Sequence, residues 1–216
     1  MLARFWRPPM LGATAFVIVV LMQALQHTQM VLMQRWLGME YKYEGAFLMG
    51  IFGAVLVCWG VRRNDNVVLA TWLGLFGGSY VWDGWTEFAW MWYAQHLGVQ
   101  PQEGWAQLPT YAVMASSLGV MVSTLAFFCL NRETRCSAFR WLHKNLHMKI
   151  GEPTIGYQRN VAAIVAMEVI YITWFFYLVL MAIYDPTIIG STHPVAYGLF
   201  FLNTAWACLL YTSPSP

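Results

Sequence analysis

The chain has 216 residues, of which 59% are hydrophobic, 17% aromatic and 10% charged, with a formal net charge of +2 and a mean hydropathy of +0.50. A soluble domain carries about 25% charged residues, so this composition excludes a water-bathed domain and makes lipid the solvent. The basic residues fall in short blocks between apolar runs, which excludes a nucleic-acid interface.

The first nine residues carry Arg4, Arg7 and the pair Pro8-Pro9, and proline tolerates a helix start. No charge interrupts the run from Pro8 to Gln34, so a first span is expected at about 10–33. That run is too long for a cleaved signal peptide and has no A-x-A site. A short polar loop, Arg35 to Glu44, leads to a second span at about 46–62, closed by Arg62-Arg63-Asn64-Asp65. A third span at about 67–93 contains Asp83 and Glu87. The loop Gln95 to Pro109 follows, then a fourth span at about 110–131. The longest polar segment runs from Asn131 to Arg159. A fifth span at about 160–184 is interrupted by Glu168, and a turn-rich loop, Asp185 to Pro194, leads to a sixth at about 195–207.

The expected fold is thus all-α, a polytopic transmembrane helical bundle of about six spans forming one domain over 1–207, the last span cut short. Residues Cys208 to Pro216 resemble the translation of a sequencing adapter and are expected to be non-native. Arg4, Arg7, Arg62, Arg63, Arg132, Arg135, Arg140, Lys144, Lys149 and Arg159 fall on one side of this layout, and Arg35 and Lys42 on the other. The positive-inside rule then makes the N-terminus cytoplasmic, in the inner membrane. Cys58, Cys129, Cys136 and Cys208 do not fall in segments expected outside, so they read as apolar filler rather than a disulfide framework.

Chemistry is concentrated in Ser79 to Phe88. Asp83 and Glu87 stand one α-helical turn apart in a tryptophan-rich run, and charge inside a membrane needs a partner or a task. At about 1.5 Å per residue, Asp83 lies roughly 24 Å from the cytoplasmic edge of the third span and His27 roughly 27 Å up the first, so the two share a level. A polar pocket in the outer half is expected from His27, Gln23, Asp83 and Glu87 with Tyr80 and Ser117. Trp82, Trp85, Trp90, Trp92 and Trp105 would roof it, Tyr177 would reach the same zone, and Glu168 and Asn203 would lie nearer the midplane. A carboxyl group kept protonated by desolvation would serve as general acid, its neighbour as base, and His27 as proton shuttle. The catalytic candidates are therefore Asp83, Glu87 and His27. The substrate-binding candidates are Gln23, Tyr80, Trp82, Trp85, Ser117, Glu168, Tyr177 and Asn203.

Plainer readings stand beside these. The carboxylates can be solvated at the interface, the tryptophans an ordinary belt, His27 a helix-packing hydrogen bonder, and Glu168 a partner of Asn203, Ser123 or a carbonyl. One histidine and no H-x-x-x-H on a span make a metal site weak, so no metal is expected. Neither a Walker loop, G-x-S-x-G, C-x-x-C nor a histidine box is present, and no cofactor is expected. His143 and His147, at helical spacing in the basic loop, read as a solvated or lipid-facing face near anionic headgroups. The expected partners are membrane lipid and a lipophilic small molecule, with the oligomeric state open.

The run Trp82-Asp83-Gly84-Trp85-Thr86-Glu87-Phe88 resembles the W-x-D-P-x-x-N-Y step of the AveC-type spirocyclase-like membrane proteins. The aspartate matches, Gly84, Glu87 and Phe88 replace Pro, Asn and Tyr, and the tryptophan spacing differs. His193 to Phe200 is similar to a Y-P-x-x-E-x-x-F entry to the last helix, without the acidic residue. The basic stretch Asn131 to Arg140 also has a counterpart. The resemblance implies acid–base cyclisation or dehydration of a lipophilic polyol or ketone, as when a dihydroxy-ketone closes to a spiroketal. Asp83 would lead with Glu87 as partner, one carboxyl expelling water and the other stabilising an oxocarbenium-like centre. The alternative is a non-catalytic membrane subunit or small-solute or proton carrier using Asp83, Glu87 and Glu168 as a relay.

Overall fold

In lipid every backbone N–H and C=O has to be satisfied within its own segment, so uninterrupted apolar runs become helices. The computed structural model describes residues 10–38, 40–100, 109–131, 137–149, 160–185, 189–190, 192–199 and 201–202, and within these it is all-helical. The helices are α1 (Met10–Leu37), α2 (Lys42–Arg62), α3 (Val67–Val81), α4 (Phe88–His96), α5 (Pro109–Ala115), α6 (Leu118–Leu130), α7 (Ser137–Asn145) and α8 (Val161–Tyr184). A π-helical turn, Trp82–Glu87, joins α3 to α4. Among the described residues, three stretches are long and apolar enough to cross a membrane: Lys42–Arg62, Pro109–Phe127 and Val161–Ile183. Further helical backbone occurs at 194–199, where a last span was expected; Asn203 lies outside the described residues.

Some helix ends have clear local causes. The Asn66 and Asn160 side chains accept from the backbone N–H groups of Leu69 and Ala163 at 3.1 and 3.2 Å and so cap α3 and α8. Asn64, in the α2–α3 turn, accepts from the Val161 N–H at 3.0 Å and ties the start of α8 to that turn.

One span is locally interrupted and one expectation needs correction. The stretch expected as a span at 110–131 is long and apolar enough to cross a membrane over Pro109–Phe127, with a break in its helix at Ser116-Ser117. There the serine hydroxyls bond back to the carbonyls of Val113 and Met114, both at 2.6 Å, and the backbone tightens to i→i−3 bonds. The polar segment after it is not all loop. It contains α7, and His143 is buried, one ring nitrogen bonded to the Cys129 carbonyl at the end of α6. The solvated reading therefore fails for His143, because α7 folds against the α6 terminus. His147 is exposed, beyond the end of α7 and with φ of 54°, so the two histidines do not share a helical face.

Packing centres on α3, which lies between α2 and α8. A Cβ at Gly74 or Gly78 would come within 2.5 or 2.8 Å of the carbonyl oxygens of Ala162 and Ala166, so α3 and α8 meet backbone to backbone through small residues four apart on each helix. Gly53 on α2 and Gly77 on α3 meet in the same way, each Cβ position within 2.8 Å of the other's carbonyl. Lipid tails are as apolar as leucine, so helices in a membrane associate by this kind of close fit rather than by hydrophobic exclusion. Many large apolar side chains point outward: Phe47, Leu48, Val55, Phe127 and Leu180 are all exposed. Such a surface suits acyl chains, not water.

Candidate functional site

The site is built on a fault in a helix. From Val67 to His96 the chain stays helical, but at Trp82–Glu87 it widens to a π turn, with the Phe88 N–H bonded to the Asp83 carbonyl five residues back. A π turn carries an extra residue and is frequent at functional sites. Asp83 and Glu87 therefore do not stack one above the other as in an α-helix. Asp83 is turned inward and 1% exposed, while Glu87 is half-buried.

Gly84 lets this turn lie against α2. A Cβ there would stand 2.4 Å from the Ala46 carbonyl oxygen and 2.6 Å from the Gly50 nitrogen. Next to it, the Trp85 indole lies across Gly50 and donates to the Phe47 carbonyl at 3.1 Å. The turn is clamped to α2 by a backbone contact and a tryptophan hydrogen bond, and this fixes where the carboxylates point.

Two side-chain clusters flank the turn. Met30, Ala46 and Phe88 form one, joining α1, α2 and α4. Met114, Met121, Leu178 and Met181 form the other, with Trp90, Tyr111 and Tyr177 packed against it. The Tyr177 hydroxyl, from α8, donates to the Glu87 carboxylate. Glu87 also interacts electrostatically with Asp83 and with Tyr111 of α5. Trp82 is 1% exposed, its ring 5.4 Å from that of Trp90 and 6.0 Å from that of Tyr177. The structure thus gathers Asp83, Glu87, Tyr177 and Trp82, with Tyr111 as a member that the sequence reading did not include.

Two polar atoms in this cluster have no hydrogen-bond partner: Asp83 Oδ2 and the Trp82 indole N–H. Buried polar atoms are nearly always paired, because an unpaired one costs about 1–3 kcal/mol. Here two fall on adjacent residues of the π turn.

The other sequence candidates sit elsewhere. His27 is exposed. Among the described α1 side chains, Gln26 and Met30, one turn apart, are the buried ones, and His27 lies about 100° around the helix from Gln26. Gln29 makes a polar contact to α3, donating to the Tyr80 hydroxyl at 3.1 Å; the side chain of Gln23 is outside the described residues, as is Trp105. Tyr80 also packs edge-on against Phe52 at 5.4 Å. Trp85 and Trp92 are partly exposed. Ser117 accepts from the Trp174 indole at 2.8 Å, which bonds the break between α5 and α6 to α8. Glu168 is half-buried and partnered. Among the described residues, no three of the His, Cys, Asp and Glu side chains are grouped to hold a metal.

No family model matches this chain, and no curated protein or solved structure does. The chemistry of the site therefore rests on its geometry.

Tyr177→Phe removes the donor to Glu87 and leaves a carboxylate short of a bond. Hydrogen bonds to charged groups contribute about 1.5–3 kcal/mol, so thermal unfolding in detergent should show a loss of that order. Tyr197→Phe, at an exposed position, should stay within about 0.5 kcal/mol of wild type.

Proposed function

We propose that this is a polytopic, six-span membrane protein with a cytoplasmic N-terminus, whose acidic pair performs acid–base chemistry on a lipophilic small molecule. The observation that carries this reading is the inequality of the two carboxyl groups. Glu87 is held by the Tyr177 hydroxyl, whereas Asp83 is more deeply buried and has an oxygen with no partner. Two adjacent carboxylates out of water repel, and one shared proton relieves the repulsion. Unlike environments then divide the labour, one group giving a proton and the other taking it. The substrate class is a polyol or ketone, as in the spirocyclase-like reaction: a dihydroxy-ketone closes to a spiroketal and releases one water molecule. Asp83 is the proposed donor to the departing hydroxyl and Glu87 the stabiliser of the cationic carbon.

A second reading, proton or small-cation carriage, is favoured by the continuous run of protonatable groups Asp83, Glu87, Tyr177 and Tyr111 from three elements. One experiment separates the two. Purified wild type and Asp83→Asn are given a long-chain dihydroxy-ketone, and the products are read by mass spectrometry. The enzyme reading expects a product one water lighter from wild type and none from the variant. Equal conversion by both sinks it. Proton flux in proteoliposomes that is lost in Asp83→Asn, with no product formed, establishes the carrier.

A further inference from the structure

On the outer surface of α2 lies an apolar groove of about 500 Å³. Ile51, Ala54, Val55 and Cys58 line it, with Trp85 and Arg62 also in its wall. Ile51, Val55, Cys58 and Arg62 recur at spacings of four, three and four, so the groove follows one stripe of the helix. The Trp85 indole, anchored on the Phe47 carbonyl and laid over Gly50, stands at the Ile51 end. Arg62 is the basic residue at the other end, in the last turn of α2, and it is exposed.

We infer that this groove holds one acyl chain of an anionic phospholipid, with the phosphate on Arg62. Length supports this occupant. Ile51 and Arg62 are eleven residues apart, roughly 16 Å along the helix, about half of a hydrocarbon core some 30 Å thick. That is the depth one leaflet gives to one chain. Charge supports it too. The groove is apolar along its stripe and cationic at the end that meets the headgroups, which matches a tail joined to a phosphate. An arginine fork binds a phosphate bidentately, whereas a choline headgroup adds a compensating positive charge beside it. The indole ends the slot, and the small side chains of Ala54 and Cys58 leave its floor low. None of this depends on the chemistry of Asp83.

The test uses the purified protein equilibrated in mixed micelles of phosphatidylglycerol and phosphatidylcholine, with retained lipid read by native mass spectrometry. Wild type should retain phosphatidylglycerol in preference to phosphatidylcholine. Arg62→Gln should lower that preference about fivefold, the effect of one basic residue on an anionic headgroup. Arg63→Gln, outside the groove, should change it less. Ala54→Phe, which fills the slot, should reduce retention of both lipids. Equal retention of the two lipids by wild type, or an unchanged preference in Arg62→Gln, overturns the assignment. So does full retention by a folded Ala54→Phe protein.

Discussion

Gly84→Ala is expected to destabilise the protein by about 3 kcal/mol, the upper end of the cost of adding a methylene to a packed interior. The atoms that the new Cβ would meet are backbone atoms of α2, the Ala46 carbonyl oxygen at 2.4 Å and the Gly50 nitrogen at 2.6 Å. A flexible side chain can swing aside, but a helix backbone cannot. The π turn has to withdraw from α2, and the Trp85–Phe47 hydrogen bond stretches with it. Gly119→Ala is the matched control. That glycine is also helical, but nothing lies within 4 Å of its Cβ position. There, alanine should be neutral or stabilising by up to about 1 kcal/mol, from helix propensity alone. Thermal unfolding midpoints in one detergent compare the two. Equal effects would show that the close approach at Gly84 has no energetic weight.

Asp83→Asn is expected to act in the opposite sense on stability, raising it by about 1–2 kcal/mol while removing activity or flux. The fold places this carboxyl at 1% exposure and leaves one oxygen without a partner. Burying such a group is costly in either form, through lost solvation as the ion or through the proton taken up at neutral pH as the acid. The amide is nearly isosteric and carries no charge. A more stable but inactive variant is the signature of a side chain kept for its chemistry at the expense of the fold. If Asp83→Asn instead unfolds at a lower temperature than wild type, Asp83 is a structural hydrogen bonder and the proposed role falls.

Much of this architecture is legible in the residues. The helical class and the three stretches that, among the described residues, are long and apolar enough to span follow from apolar runs with few charges, because lipid leaves the backbone no alternative to the helix. Asp83, Glu87, Trp82 and Tyr177 stand out as polar or amphipathic groups where few are tolerated, and the structure brings them together. The π turn is less legible, since it arises from how α3 and α4 dock on α2 and not from local propensity. That is also why the α1 contribution differs. Depth along a helix follows from counting residues, which places His27 at a suitable level. Rotation about the axis follows from packing, which turns Gln26 inward. Tyr111 carried a signal, a phenol just inside a span that begins at Pro109, but pairing it with Glu87 requires knowing that α5 lies against α4. Gly74 and Gly78, like Ala162 and Ala166, are small residues four apart, but that they face one another is known only from the packing of α3 on α8.

The six-residue turn at Trp82–Glu87 also sets the aim of everything after it. An added residue in a helix rotates the downstream part by about 100° relative to the upstream part. Phe88 meets Met30 and Ala46, and Trp90 meets the α8 side, only because that rotation has been made. Deleting one residue such as Thr86 would restore an even coil and spare both acids, yet would swing α4 away from its present neighbours. The fault in the coil is therefore a piece of addressing: it tells α4 which way to face.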